Sequence, residues 1–159
     1  MKIGVWVVAS GVLAATGAIS SATAQTADEQ KMFTPEQMKW SAAPPSLPAG
    51  AEIAVLYGDA SKDGLFAVRL KVPKGYRVPP HSHPKPEVAT IVSGTVRLGM
   101  GETGDAAHAH VFPAGGFYAT PPGMVHSFSA DDDTVIQINS IGPWGIDYVN
   151  PKDDPRQKQ

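Results

Sequence analysis

Sixteen glycines and fifteen prolines punctuate the 159-residue chain. Proline removes a backbone donor and fixes φ, and glycine weakens any regular element it interrupts. So dense a scatter excludes a helical bundle and leaves many short segments between turns. Those segments carry a period of two. Ile53, Val55 and Tyr57 alternate with Ala54 and Leu56, and Phe66, Val68, Leu70 and Val72 alternate with Leu65, Ala67, Arg69 and Lys71. Further strands are expected over 88–92, 95–100, 116–120, 125–129 and 134–140, which argues for an all-β sandwich or barrel.

Composition narrows the function. There is no cysteine, so disulfides, thiolate metal sites and a cysteine nucleophile are excluded. A net charge of -2 offers no footprint for nucleic acid. Lys2, an uncharged apolar run from Ile3 to Ile19 and the small-residue site Ala22-Thr23-Ala24 have the layout of a secretory signal peptide over residues 1–24, cut before Gln25. The expected address is the bacterial periplasm or full secretion, with no membrane association after cleavage.

Residues 25–50 form an N-terminal extension. Thr34-Pro35-Glu36-Gln37 is a capping-box start for a short helix ending near Trp40, and Pro44, Pro45 and Pro48 make 41–50 an extended connector. The strand region covers 51–149. The polar tail, 150–159, is expected to be surface-bound or frayed.

The chemistry is concentrated in Gly75-Tyr76-Arg77-Val78-Pro79-Pro80-His81-Ser82-His83-Pro84-Lys85-Pro86-Glu87. His81 and His83 stand two apart, so an extended backbone points both side chains to one face. Pro79 and Pro80 before them, and Pro84 after, enforce that extension. Glu87 shares their parity. Downstream, Pro121-Pro122-Gly123 fits a turn that launches Val125-His126-Ser127-Phe128, where His126 faces inward if Phe128 is core. Imidazoles and a carboxylate on one interior suit Fe(II), Mn(II), Ni(II), Cu(II) or Zn(II).

These residues resemble the two motifs of a single-domain cupin, a double-stranded β-helix of jelly-roll type. Gly75, His81, His83, Glu87 and Gly94 match G-x5-H-x-H-x3-E-x6-G at every fixed position. Gly115, Pro121, Gly123 and His126 match G-x5-P-x-G-x2-H-x3-N, whose final Asn is Ala130 here. The resemblance implies that His81, His83, Glu87 and His126 ligate one divalent transition metal, with Fe(II) favoured, and it implies a homodimer. Octahedral coordination would leave two positions open for substrate or dioxygen, whereas a tetrahedral zinc site would be closed.

Other polar groups have ordinary readings. His108 and His110 form a second H-x-H without a following Glu, expected on an exposed loop or edge. Asp131-Asp132-Asp133 fits a solvated hairpin tip better than a calcium loop. Arg69 and Arg97 are either exposed strand residues or partners for a substrate carboxylate. Gln137 and Asn139 share a face with Val135 that belongs to the pocket or to solvent; Gln137 and Tyr118 are the candidates for pocket lining. Trp144 and Tyr148 are expected to pack as a lid, and no tyrosine is placed well enough to name as a proton donor. The leading functional expectation is an exported metal-dependent enzyme acting on a small organic molecule, most concretely a non-haem Fe(II) dioxygenase. The alternatives are a non-oxidative metal-dependent isomerase, lyase or decarboxylase, and a non-catalytic module that binds a metal or small ligand.

Overall fold

Alternating burial is what the strands have in common. In a computed structural model, which describes residues 30–104 and 106–158, Phe66, Val68, Leu70 and Val72 are buried, while the residues between them lie on the outer face. The signal segment expected over 1–24 lies outside the described residues. The strands are β1 (Ser41–Ala42), β2 (Glu52–Tyr57), β3 (Gly64–Val72), β4 (Arg77–Ser82), β5 (Glu87–Ser93) and β6 (Thr95–Met100). After these come β7 (His110–Pro113), β8 (Phe117–Thr120), β9 (His126–Ala130), β10 (Thr134–Gly142) and β11 (Asp147–Tyr148).

They form two antiparallel sheets, a six-stranded one in the order β1-β2-β3-β10-β5-β8 and a five-stranded one in the order β11-β4-β9-β6-β7. The inner faces meet in a core that includes Phe66, Ile91, Val96, Leu98, Ile136 and Ile138. Each of these buried side chains contributes roughly 1.5–3 kcal/mol relative to exposure. A second cluster, Val72, Tyr76, Val78, Ala130 and Ile146, closes one side. Ala130, where the motif has Asn, packs there at 3% exposure.

Three local readings differ from the sequence expectation. The N-terminal helix is a single 3₁₀ turn, Pro35–Gln37, which stops short of Trp40. Gln37 Oε1 accepts from the Thr34 amide at 2.9 Å, but Met38 is already extended and the chain runs on into β1. The connector after it is not merely extended: Ser41 and Ala42 pair with Ile53 and Glu52 at the sheet edge. The segment is then tied down by Tyr76, whose hydroxyl donates to Pro48 O at 2.7 Å, and by Tyr148, which donates to Ser46 O at 2.8 Å. The tail is folded against the body in two short turns, with Arg156 Nη2 donating to Ile146 O at 3.1 Å.

Gly94 makes the β5–β6 turn with φ +78°, a region that L side chains rarely adopt. A Cβ there would lie 2.7 Å from Asp133 O and would overlap Thr134. Gly94→Ala is therefore expected to cost about 2–4 kcal/mol, from the positive φ together with the clash. A chemical-denaturation midpoint within error of wild type would refute this.

Candidate metal centre

Each side chain of the centre is delivered by a different local device. His81 sits near the end of β4, whose ladder to β9 is irregular between Val78 and His81, where Pro79 and Pro80 lack donors. Pairing resumes with His81 directly opposite His126, the first residue of β9. Two imidazoles are thereby set side by side, with ring centroids 4.4 Å apart. His83 lies just past β4, and its carbonyl accepts from the Gly123 amide at 2.9 Å. That bond latches one motif to the other. Gly123 has φ +75° and follows Pro122 in a turn closed by the Met124 amide on Pro121 O at 3.2 Å, as the Pro-Pro-Gly spacing predicts. Glu87 opens β5, so the opposite sheet supplies the carboxylate.

All four side chains are buried, at 1–5% exposure. The three histidines donate Nδ1–H to backbone carbonyls: His81 to Pro79 at 2.7 Å, His83 to Gly145 at 2.6 Å and His126 to Met124 at 3.1 Å. Those acceptors fix the tautomer and leave an Nε2 lone pair on every ring. The ligating atoms of His81, His83 and His126 lie within 4.8 Å of one another, and this trio can hold a metal ion. Beside it, Glu87 Oε2 is 3.1 Å from His126 Nε2 and 3.7 Å from His83 Nε2. With Nδ1 carrying the proton, these are contacts between acceptors. His83 Nε2 and Glu87 Oε2 are buried with no hydrogen-bond partner. Such an orphaned set is costly unless a cation sits among the lone pairs, so the donor chemistry fits a divalent metal.

The electrostatics agree. Burial pushes the His81 pKa down to about 3, with His126 acting in the same direction. Burial also lowers His83, against the opposing pull of Glu87. Both rings thus stay neutral, the form that binds metal. The unfolded chain takes up protons on these imidazoles below about pH 6.5 and the folded chain does not. Stability is therefore full above that pH and is lost as the pH falls toward about 3, where His81 itself titrates. For the chelator-treated protein, the thermal midpoint is expected to drop between pH 7 and pH 4; a flat profile would contradict the buried neutral histidines.

Two aromatic residues complete the surroundings. Tyr118 on β8 points inward, its hydroxyl donating at a long 3.5 Å to Glu87 Oε1, and burial raises its pKa well above the ordinary phenol value. Trp144 stacks on His83 with centroids 4.3 Å apart and an interplanar angle of 13°, and also meets Phe66 at 5.6 Å. The sequence marked Trp144 only as a lid. Its contact with a candidate ligand was missed because nothing in Gly142-Pro143-Trp144-Gly145 reports which strand end it covers.

A cavity of about 310 Å³ opens beside the histidines, lined by Tyr118 and Trp144 among others. Gln137 is a correction. Ile136 and Ile138 point into the cavity, so Gln137 faces outward, where Arg69 Nε donates to its Oε1 at 3.1 Å. The strand period forbids it the inner face. Arg97 is likewise outside, held by Asp131 at the hairpin tip with Nε 2.7 Å from Oδ2. His108 and His110 are exposed and do not join the clustered histidines.

Comparison with known proteins agrees with the architecture. A family model described as a domain of unknown function (DUF4437) matches residues 22–146. Over 68 residues the chain is 35% identical to Germin-like protein 3-1 of Oryza sativa subsp. japonica, a match spanning 42% of this chain and 30% of the rice protein. The match therefore spans less than a third of that relative's length. Among solved structures, the polyketide cyclase RemF of Streptomyces resistomycificus superposes with a TM-score of 0.64 at 16% identity, covering 80% of this chain and 91% of that one. A putative acetylacetone dioxygenase of Methylibium petroleiphilum PM1 gives 0.59 at 18% identity, covering 79% and 85%. An RmlC-like cupin of Shewanella frigidimarina gives 0.56 at 18% identity, covering 73% and 95%. At these identities the structural likeness speaks for the fold. The chain belongs to the DUF4437 family and carries a cupin domain of jelly-roll architecture.

Proposed function

We propose that the chain is an exported metal-binding cupin in which His81, His83, Glu87 and His126 hold one divalent transition metal, and that it acts as an enzyme on a small organic molecule. Its most concrete form is a non-haem Fe(II) dioxygenase. The observation that carries this reading is the buried convergence of three Nε2 lone pairs and the Glu87 carboxylate, with His83 Nε2 and Glu87 Oε2 left without a hydrogen-bond partner. When bound, iron would supply Lewis acidity and the redox capacity to combine substrate with dioxygen. The chain's own residues have separate tasks. Pro79, Gly145 and Met124 carbonyls orient the rings, Tyr118 steadies Glu87, and the apolar cavity beside them excludes water.

Anaerobic reconstitution with Fe(II), followed by oxygen-uptake assays on enolic and phenolic compounds, tests the dioxygenase form. Stoichiometric iron and substrate-dependent oxygen consumption are expected. Failure to bind iron removes this form. Tyr118 favours a second reading, non-oxidative isomerase, lyase or decarboxylase chemistry, because it keeps a phenolic proton beside the carboxylate. Turnover under strict anaerobiosis would favour that reading over oxygenation. Export rests on the sequence of residues 1–24, and intact-mass analysis of secreted material beginning at Gln25 would support it.

A further inference from the structure

The cavity of about 310 Å³ has one polar end and otherwise apolar walls. Val68, Ile136 and Ile138 of the six-stranded sheet face Phe128 of the other, and Leu47 and Ile53 add further wall. Beyond the histidine end, the polar groups of the lining are few and mostly engaged. Tyr76 donates to Pro48 O, Tyr118 to Glu87, and Ser61 Oγ to Asp59. Among the described residues, no lysine or arginine lines the cavity. The two strand arginines that could have met a carboxylate are occupied elsewhere, Arg69 with Gln137 and Arg97 with Asp131.

Apart from the histidine end and the unpartnered indole N–H of Trp144, a charged or many-hydroxyl ligand would lose its water in this space without finding a partner, at a cost of several kcal/mol per group. Hydrocarbon, by contrast, gains with every Å² it removes from water. The size sets a second limit, since an apolar cavity of about 150 Å³ already accepts benzene. Twice that volume suits two fused rings.

We propose that the cavity takes an uncharged, largely hydrocarbon molecule of about bicyclic size, with its oxygen function confined to the end that meets the histidines. The orientation rests on the metal-site reading above; the apolar selectivity does not. The resident class is therefore a cyclic ketone, enol or phenol, and small dicarboxylates and sugar acids are excluded as substrates. Leu47, on the segment anchored through Ser46 and Pro48, sets how much room remains.

The test is calorimetric titration of the full chain with indane, 1-indanone, oxalate and glucuronate, in chelator-treated and metal-loaded protein. In the chelated protein both bicyclic probes are expected to bind at least about tenfold tighter than either acid. Metal loading should tighten 1-indanone severalfold and leave indane unchanged. Leu47→Trp, which fills the space from outside the barrel strands, should weaken indane at least about tenfold with the circular dichroism spectrum retained. Should that variant fail to fold, Ile53→Phe replaces it. Oxalate or glucuronate binding the chelated protein as tightly as indane overturns the proposal, as does failure of both bicyclic probes to bind. Indane binding in a chain that takes up no metal would sink the metal reading alone, whereas metal uptake with the acids preferred would sink this one alone.

Discussion

His83→Ala is expected to lose most of the bound metal, with affinity falling at least about 100-fold, while the barrel stays folded. Removing a group that only orients a ligand commonly costs 10–100-fold, so removing a ligand costs no less. The fold should survive because His83 lies past the end of β4. Beyond the other three side chains of the centre, its ring touches the rest of the protein through the Gly145 carbonyl and the Trp144 stack. Metal content after dialysis against a competing chelator, read beside a thermal melt, measures both effects. Trp144→Phe, which retains a ring over the imidazole, should keep the metal. Wild-type metal content in His83→Ala would contradict the role given to this residue.

Phe66→Ala should have the largest effect on stability. Phe66 is 2% exposed and packs in the core beside the cavity. Truncating a buried phenylalanine costs about 3–5 kcal/mol, from lost transfer energy and from the void left behind. Metal affinity should weaken as well, because Phe66 supports Trp144 and Trp144 supports His83. A shift of the urea midpoint at unchanged slope reads the first effect, and metal titration the second. A loss below about 1 kcal/mol would mean that the cavity already relieves Phe66 of its packing role.

The convergence of the histidines was legible because it is built from short-range rules. Two residues apart on an extended chain means one face, and the prolines around His81 and His83 leave the backbone little choice but extension. His126 followed from Phe128 in the same way, and both do face the core. The elements that escaped are those without such periodicity. Ser41–Ala42 and Asp147–Tyr148 are two-residue strands, and His110–Pro113 is a short edge strand with mostly exposed residues. Their pairing depends on neighbours far away in sequence. Gln137 illustrates the opposite difficulty. Its strand was legible but its face was not, because only the registry with Arg69 on β3 and Thr90 on β5 assigns Ile136 and Ile138 to the interior. Trp144 was beyond reach for a third reason: a tryptophan between glycine and proline carries no period at all.

The centre itself is most directly tested by anomalous diffraction from crystals of the full chain grown with Co(II). One strong peak per chain is expected in bonding range of Nε2 of His81, His83 and His126, with the Glu87 carboxylate turned to it. Crystals in which that position is empty, or in which cobalt settles on the exposed His108 and His110 instead, would contradict that expectation.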